Sequence, residues 1–412
     1  MDTLYPHCAG LDVHKKNVVA AVRHLSEGGR VRQEIRTFAT TTAELLALAD
    51  WLRAEGVTHA ALESTGVYWK PVFHILEATC TLVLVNAQHL KQVPGRKTDV
   101  KDCQWIAQLL QHGLLQASFV PPAPIRELRD LTRHRSQLMG EKTRAANRLQ
   151  KVLEDANLKL ASVASNVLGQ SGRAILRALI GGVTDPAKLA DLAKGLLRRK
   201  LPQLEEALHG RLTAHHRFLL KMLLGQVEYL EDLVQQLEQR VEEVIAPFRE
   251  QVQLLQTIPG IGWTVAVVLL AELGADLKAF PSARHLASWA GMCPGNNRSA
   301  GRQRSGRTGK GSRWLRAALI QAAWAAARKK DTYLAVQFRR LAARRGRKRA
   351  AVAVANSLLH ILYAVLKRGK AYEDLGADWF DRQNEKRLTR HLVQRLESLG
   401  HKVSLEPVLR AS

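Results

Sequence analysis

Eight apolar residues, Leu220, Leu223, Val227, Leu230, Val234, Leu237, Val241 and Val244, recur at alternating intervals of three and four. Only an α-helix lines such positions up on one stripe, and a seven-residue repeat of this kind is the seam along which a long helix pairs with another. Pro247 removes a backbone donor and stops the segment. Heptads do not say which helix supplies the partner, so a helical hairpin inside one chain and a dimerising coiled coil are both open.

Before this region the pattern differs. Cys8 to Val22 holds an apolar strand interrupted by His14 to Asn17, a tight turn between two strands, and Val31 to Ala39 alternates as a third strand. Thr41 and Thr42 can cap a helix from Ala43 to Glu55, which Gly56 ends. Ala60 to Leu62 and Leu82 to Val85 are short buried strands, with a helix through Val72, Phe73, Ile75 and Leu76 between them. Strands alternating with helices imply an α/β domain. From Arg126 onward the chain reads as helical: apolar helices are expected from Val265 to Leu273, from Ser282 to Gly291, from Ala317 to Ala327 and from Val352 to Leu366. The fold class expected is α/β plus all-α, divided into residues 1–125, a helical coiled-coil region at 126–250, a third domain at 251–370 and a C-terminal tail at 371–412 without an assigned role.

The chain has 412 residues and a net charge of +25, and the excess is local. Residues 1–120 carry 12 Lys and Arg against 11 acids, whereas residues 296–349 carry 17 against one. A basic surface of this strength implies a polyanionic partner, with nucleic acid foremost. Its interruption by Trp314-Leu315 and Ala317 to Ala327 favours a folded surface over a floppy tail. The four cysteines, Cys8, Cys80, Cys103 and Cys293, form no CxxC pair, which argues against zinc ribbons and disulfide scaffolds and for a reducing, cytoplasmic setting. No signal peptide is expected from residues 1–10, and no stretch reads as the ~18 apolar residues of a membrane span.

Four carboxylates are candidates for chemistry. Asp12 interrupts an apolar strand, where an unpartnered carboxylate is costly. Glu63 falls at the carboxyl end of another strand, the end where α/β sheets bind ligands. Asp99 and Asp102, spaced i and i+3, share one face at the start of a helix through Ile106 to Leu110. Carboxylate oxygens are the ligands of hard cations such as Mg²⁺ (or Mn²⁺), and a pair of such ions suits phosphodiester chemistry. The plainer alternative is acids that complement a helix dipole or cap a turn. His14, His74, His89 and the pair His215-His216 lack metal-ligand spacing and read as structural or exposed.

Two glycine-rich segments suit phosphate. Ile258-Pro259-Gly260-Ile261-Gly262 precedes an apolar helix and looks like half of a helix-hairpin-helix, in which Gly260 and Gly262 let backbone N–H groups approach a phosphate; a plain turn is equally compatible. The loop from Cys293 to Gly311 has no acid and brings Arg298, Arg302, Arg304, Arg307 and Lys310, with glycines between them. A serine in such a loop can serve as a nucleophile, Ser299 and Ser305 being the candidates. Neither has a His or Asp beside it, so an activating group must come from elsewhere.

These motifs together resemble a known group. Gly10-Leu11-Asp12-Val13-His14-Lys15, Glu63-Ser64-Thr65-Gly66, Lys97-Thr98-Asp99-Val100-Lys101-Asp102, Ile258-Pro259-Gly260-Ile261-Gly262, Phe280-Pro281-Ser282-Ala283 and Pro294-Gly295-Asn296-Asn297-Arg298-Ser299-Ala300-Gly301 occur in the order and spacing of the DEDD transposases of the insertion-sequence one-ten family, related to the invertase of pilin-gene inversion. The resemblance reaches to about Ala327. It implies a RuvC-like, ribonuclease-H-type first domain with Asp12, Glu63, Asp99 and Asp102 as an acidic tetrad for divalent metal, and a transposase domain whose catalytic serine is Ser299. It further implies a DNA substrate, a bridge-type guide RNA, a tetramer assembled from dimers, and a nucleoid-associated place in a bacterial or archaeal cytoplasm. Where members of the family have Ser-Gly-Gly-Lys, this chain has Ser299-Ala300-Gly301-Arg302, which keeps a small residue and a cation. The competing readings are a RuvC-like, metal-dependent structure-specific nuclease without a covalent serine intermediate, and a non-catalytic nucleic-acid-binding protein.

Overall fold

The computed structural model describes residues 3–26, 29–64, 66–86, 102–295, 297–299, 302–383 and 385–406, with the backbone alone described at 297–299, 302–305 and 387–388. The chain divides into two compact units, Met1–Val120 and Pro121–Ser412.

The first unit is built on a five-stranded sheet: β1 (His7–Val13), β2 (Asn17–Leu25), β3 (Val31–Ala39), β4 (His59–Glu63) and β5 (Thr81–Val85). The strand order is β3-β2-β1-β4-β5. The β1–β2 and β2–β3 pairs are antiparallel, while β1–β4 and β4–β5 are parallel. Short turns suffice for the former; the parallel pairs are reached through helices α1 (Thr42–Ala54) and α2 (Trp69–Leu76). Leu11 and Leu62, paired in register, bury one face against Leu45, Leu48 and Leu52 of α1 and Val72 and Leu76 of α2. Helix α3 (Asp102–Gln111) covers the opposite face, where Ile106, Leu109 and Leu110 meet Cys8, Ala61 and Val85. Gly10 permits that approach, because a Cβ there would lie 2.1 Å from the Cys103 carbonyl oxygen and 2.4 Å from the Ala107 nitrogen.

The second unit is helical. Two long helices, α4 (Ala123–Asp155) and a later one at Ala214–Ile245, pack along each other. Between them the chain forms α5 (Leu160–Val163), α6 (Gln170–Ile180), α7 (Pro186–Asp191) and α8 (Leu201–Ala207), so the later long helix is α9. Arg135 pairs with Glu238 and Lys142 with Glu231, which makes α4 and α9 antiparallel. The heptad residues Val227, Leu230 and Val234 meet Leu138 and Ala145 of α4, and Leu220 joins a core with Leu149 and Leu153. The partner of the seam thus comes from the same chain. Helices α10 (Arg249–Gln256), α11 (Trp263–Leu273), α12 (Ala283–Trp289), α13 (Arg313–Ala326), α14 (Tyr333–Arg345), α15 (Arg347–Arg368), α16 (Trp379–Gln383) and α17 (Glu385–Ser398) follow.

Two features depart from the sequence reading. The segment expected to be a loop folds in part into a hairpin, β6 (Asn297–Ser299) and β7 (Arg302–Ser305). Strands of three and four residues are too short to leave a readable alternation. The other is α15, 22 residues long and apolar enough, by length and composition, to cross a membrane, contrary to the expectation that no stretch reaches that mark. Core packing accounts for its apolarity: Ala351, Val354, Leu358, Leu359, Leu362 and Val365 are buried, and α15 packs on α12, α13 and α14.

Candidate functional site

In the first unit the carboxylates gather by register. Gly10 pairs with Ala61 and Leu11 with Leu62, so Asp12 and Glu63 stand level at the carboxyl ends of adjacent parallel strands. Alternation puts both on the face that α3 covers, since Gly10 and Ala61 lie on that face. Helix α3 opens with Asp102, whose charge complements the helix N-terminus. Asp12 Oδ2 lies 3.1 Å from His14 Nε2. Burial pushes the Asp12 carboxyl above its usual value; His14 opposes that, and the charge of Asp102 adds to it. Asp12, Glu63 and Asp102 therefore share one end of the sheet, while Asp99 lies outside the described residues. Among the described residues, no three His, Cys, Asp or Glu side chains converge closely enough to form a metal site as they stand. The donor chemistry nonetheless fits a hard divalent cation, because a half-buried carboxylate facing a second one is relieved by positive charge. His14, read from the sequence as structural or exposed, is exposed and contacts Asp12; its position two residues on was the available signal.

In the second unit Ser299 ends β6. The hairpin pairs Asn297 with Ser305, Arg298 with Gln303 and Ser299 with Arg302, and residues 300–301 between the strands lie outside those described. Ser299 is thus next to the turn, and Ser305 is at the other end of the ladder. The hairpin is anchored at its foot by a bridge between Pro294 and Thr308 and by the Gly295 N–H donating to the Arg307 carbonyl at 3.0 Å. The backbones of Arg298, Arg302 and Arg304 lie on the hairpin, and Arg307 and Lys310 follow it, both exposed.

The two glycines of the Pro-Gly-Ile-Gly turn sit in different surroundings. Gly260 has φ +89°, and a Cβ on it would lie 2.3 Å from the Ala322 carbonyl oxygen, so it seats the turn against α13. Gly262 is the N-cap of α11 and has open space where a Cβ would point.

Sequence reasoning missed Glu272, the single acid within the apolar run of α11. It is buried to 1% exposure and accepts from Arg133 Nε at 2.7 Å, Arg133 Nη2 at 2.9 Å and Ser312 Oγ at 2.8 Å. Ser312 also caps α13, the helix that follows the basic hairpin. One carboxylate thus ties α4, α11 and the start of α13 together. A charge in an otherwise apolar helix was the signal.

Comparison with known proteins adds an independent line. Residues 9–158 match the family model of the DEDD-type IS110 transposases, and residues 252–337 match that of the transposase IS116/IS110/IS902 family. The transposase for insertion sequence element IS1111A of Coxiella burnetii is 26% identical over 294 residues, 70% of this chain and 72% of that protein. A probable family 20 transposase of Pseudomonas aeruginosa is 27% identical over 321 residues, 76% of this chain and 85% of that protein. The pilin gene-inverting protein of Moraxella bovis is 30% identical over 155 residues, 36% of this chain and 47% of that protein.

Proposed function

Because the chain belongs to the IS110/IS116 family of transposases, enzymes that cut and rejoin DNA, we propose that it does so with Ser299 as nucleophile and with Asp12, Glu63, Asp99 and Asp102 as ligands of a divalent metal ion. The observation that carries the reading is the register of β1 and β4, which sets Asp12 level with Glu63 beside the helix that opens at Asp102. The strand order β3-β2-β1-β4-β5, antiparallel then parallel, supports a RuvC-like, ribonuclease-H-type fold for residues 1–125. Residues 126–250 would be the helical coiled-coil region and residues 251–370 the serine-bearing domain.

Ser299 Oγ attacks the scissile phosphorus and forms a phosphoserine ester as the bond from phosphorus to the deoxyribose oxygen breaks; the proton given up by the serine hydroxyl balances the one that the displaced oxygen takes up to leave as a hydroxyl. Attack by a second strand's hydroxyl on that ester releases the serine and joins the strands, so no phosphodiester energy is lost. A divalent ion held by the carboxylates supplies Lewis-acid stabilisation of charge on phosphate oxygens and of the leaving oxygen. Asp12, half-buried, holds its place through His14, and Arg298 and Arg302, close to Ser299 in sequence, would balance the phosphate's charge. A guide RNA and a homo-oligomer, a dimer assembling to a tetramer, complete the proposal; the 17 cations at residues 296–349 suit nucleic acid of either kind.

The test is covalent trapping. Incubation with labelled DNA and Mg²⁺ should yield a protein–DNA adduct that survives denaturation. Ser299→Ala should abolish the adduct while DNA binding persists, and Asp12→Asn should abolish strand cleavage. Cleavage without any adduct would instead identify a nuclease that uses water, and an adduct persisting in Ser299→Ala would remove that serine from the mechanism.

A further inference from the structure

A cleft of about 1370 Å³ opens at the foot of the serine-bearing hairpin. Six of its lining residues are cations: Arg284, Arg307, Arg316, Arg345, Lys348 and Arg349. No Asp or Glu lines it among the described residues. These cations come from four places, α12, the strand exit at Arg307, α13 and the α14–α15 junction, so the fold, not a run of sequence, brings them together.

Two further observations show that the cleft is built for an anion. Among the described residues, Arg284, Arg316, Arg345, Lys348 and Arg349 take part in no ion pair, whereas the basic residues along α4 do, as Arg135 with Glu238 and Lys142 with Glu231. Six like charges around one cavity repel one another, and salt screens that repulsion only in part. The other observation is the start of α15. Its first turn is Arg347, Lys348 and Arg349 with no acid, and its N-cap, Gly346, offers no side-chain acceptor. Cations there oppose the positive end of the helix, an arrangement that an anion in the cleft reverses into an attraction.

The size selects the ligand. One wall follows α15 from Lys348 through Val352 and Asn356 to His360. Twelve steps of ~1.5 Å from Lys348 to His360 make that wall about 18 Å long. A nucleic-acid strand in a duplex advances ~3.4 Å per phosphate, so about five nucleotides span it. A single phosphate or a nucleotide would leave most of the cations unmatched.

We infer that this cleft holds the sugar–phosphate backbone of a nucleic-acid strand at the foot of the hairpin that carries Ser299, as a grip that is indifferent to base sequence. The inference rests on the nucleic-acid reading above and adds Arg284, Arg316, Arg345, Lys348 and Arg349 to the contact surface. Six cations outnumber the neutral polar side chains of the lining, Thr308, Asn356 and His360, a balance weighted toward phosphate contacts, which position a strand without reading its bases. DNA and RNA share the chemistry, and the measurement separates them.

The experiment uses the full chain and fluorescence anisotropy with duplex DNA, single-stranded DNA and single-stranded RNA, each in two unrelated sequences, over a range of salt. The variant is Arg316→Gln/Lys348→Gln/Arg349→Gln. The control, with the same loss of charge on α9 and α10, is Lys221→Gln/Arg240→Gln/Arg249→Gln. Each lost phosphate contact removes ~0.9 from the slope of log affinity against log salt for duplex and ~0.7 for single strands. The cleft variant should therefore be shallower by about 2 to 3 on at least one type of probe, equally for both sequences, with the control changed by less than about 1. The type of probe affected names the strand held. If the triple variant melts early, Arg316→Gln and Lys348→Gln alone are read at ~0.7–0.9 each. Steep salt dependence in the wild type that is equally steep in the cleft variant, or a loss confined to one sequence, overturns the inference and leaves the transposase reading standing. A wild type that binds none of the probes overturns both.

Discussion

Replacing Glu272 with alanine is expected to cost the second unit about 3 kcal/mol. The carboxylate is 1% exposed and takes both ends of the Arg133 fork together with the Ser312 hydroxyl. Breaking a buried ion pair from one side costs roughly 3–5 kcal/mol, most of it from the charge left behind. Arg133 is 34% exposed, so water recovers part of its solvation, and the lower end of the range applies. The cap on α13 survives, because Ser312 Oγ still accepts from the Leu315 N–H. Glu272→Gln keeps one acceptor oxygen, and about 2 kcal/mol is expected, the worth of a hydrogen bond to a charged group. At ~2–4 °C per kcal/mol for a unit of this size, the melting temperature should drop by about 6–12 °C for alanine. Differential scanning calorimetry reads it, with Glu238→Ala as comparison: that carboxylate is 42% exposed in its pair with Arg135, and exposed pairs are worth ~0–1 kcal/mol. If Glu272→Ala and Glu238→Ala melt together, the network is not a structural tie and the reasoning fails.

Gly260→Ala should destabilise by about 2–4 kcal/mol, since φ is +89° and the new methyl meets the α13 backbone, while Gly262→Ala, with open space, should leave the melting temperature within a degree or two; equal melting of the two would refute the packing account of Gly260. A loss of DNA affinity in Gly262→Ala at unchanged stability would show that its N–H approaches a phosphate. Gly10→Ala should displace α3 from the sheet, and a circular-dichroism melt showing the first unit intact would contradict that. Val227→Asp, at a fully buried seam position between α4 and α9, should unfold the long pair by an uncompensated charge; an unchanged helical signal on heating would mean the seam is not held there.

The first unit was legible because its strands are short apolar or alternating runs and its breakers are local. Val31–Ala39 is read directly as β3, Gly56 stops α1, and the His14 to Asn17 turn separates β1 from β2. Asp12 stood out because a carboxylate in an apolar strand conflicts with its surroundings, and Glu63 because it ends one. What joins them, the parallel β1–β4 register, is a non-local pairing that no local pattern encodes. The same limit hid the identity of the heptad partner: α4 lies some 60 residues before α9 in sequence, and its own apolar stripe is diluted by charges. Arg284 and Arg316 look like ordinary solvated charge, and the cluster Arg344 to Arg349 reads as either solvated or phosphate-contacting, until α12, α13 and α15 fold beside one another. The basic helix α14 went unread because its arginines mask a short apolar face of Leu334, Ala335 and Phe338.

Sequences that fold well satisfy charge, burial and helix polarity together, and exceptions concentrate where a ligand completes the balance. Two exceptions stand out, of opposite sign and in separate units. In the first, burial and the neighbouring Asp102 both work against a charged Asp12. In the second, cations without ion pairs crowd a cleft and oppose the positive end of α15. His14 relieves the first only in part, and among the described residues no carboxylate lines the cleft to relieve the second. The divalent cation proposed for the carboxylates would answer the first, and the phosphate backbone proposed for the cleft would answer the second. Each proposed ligand would thus offset a conflict that its own unit carries in the free state.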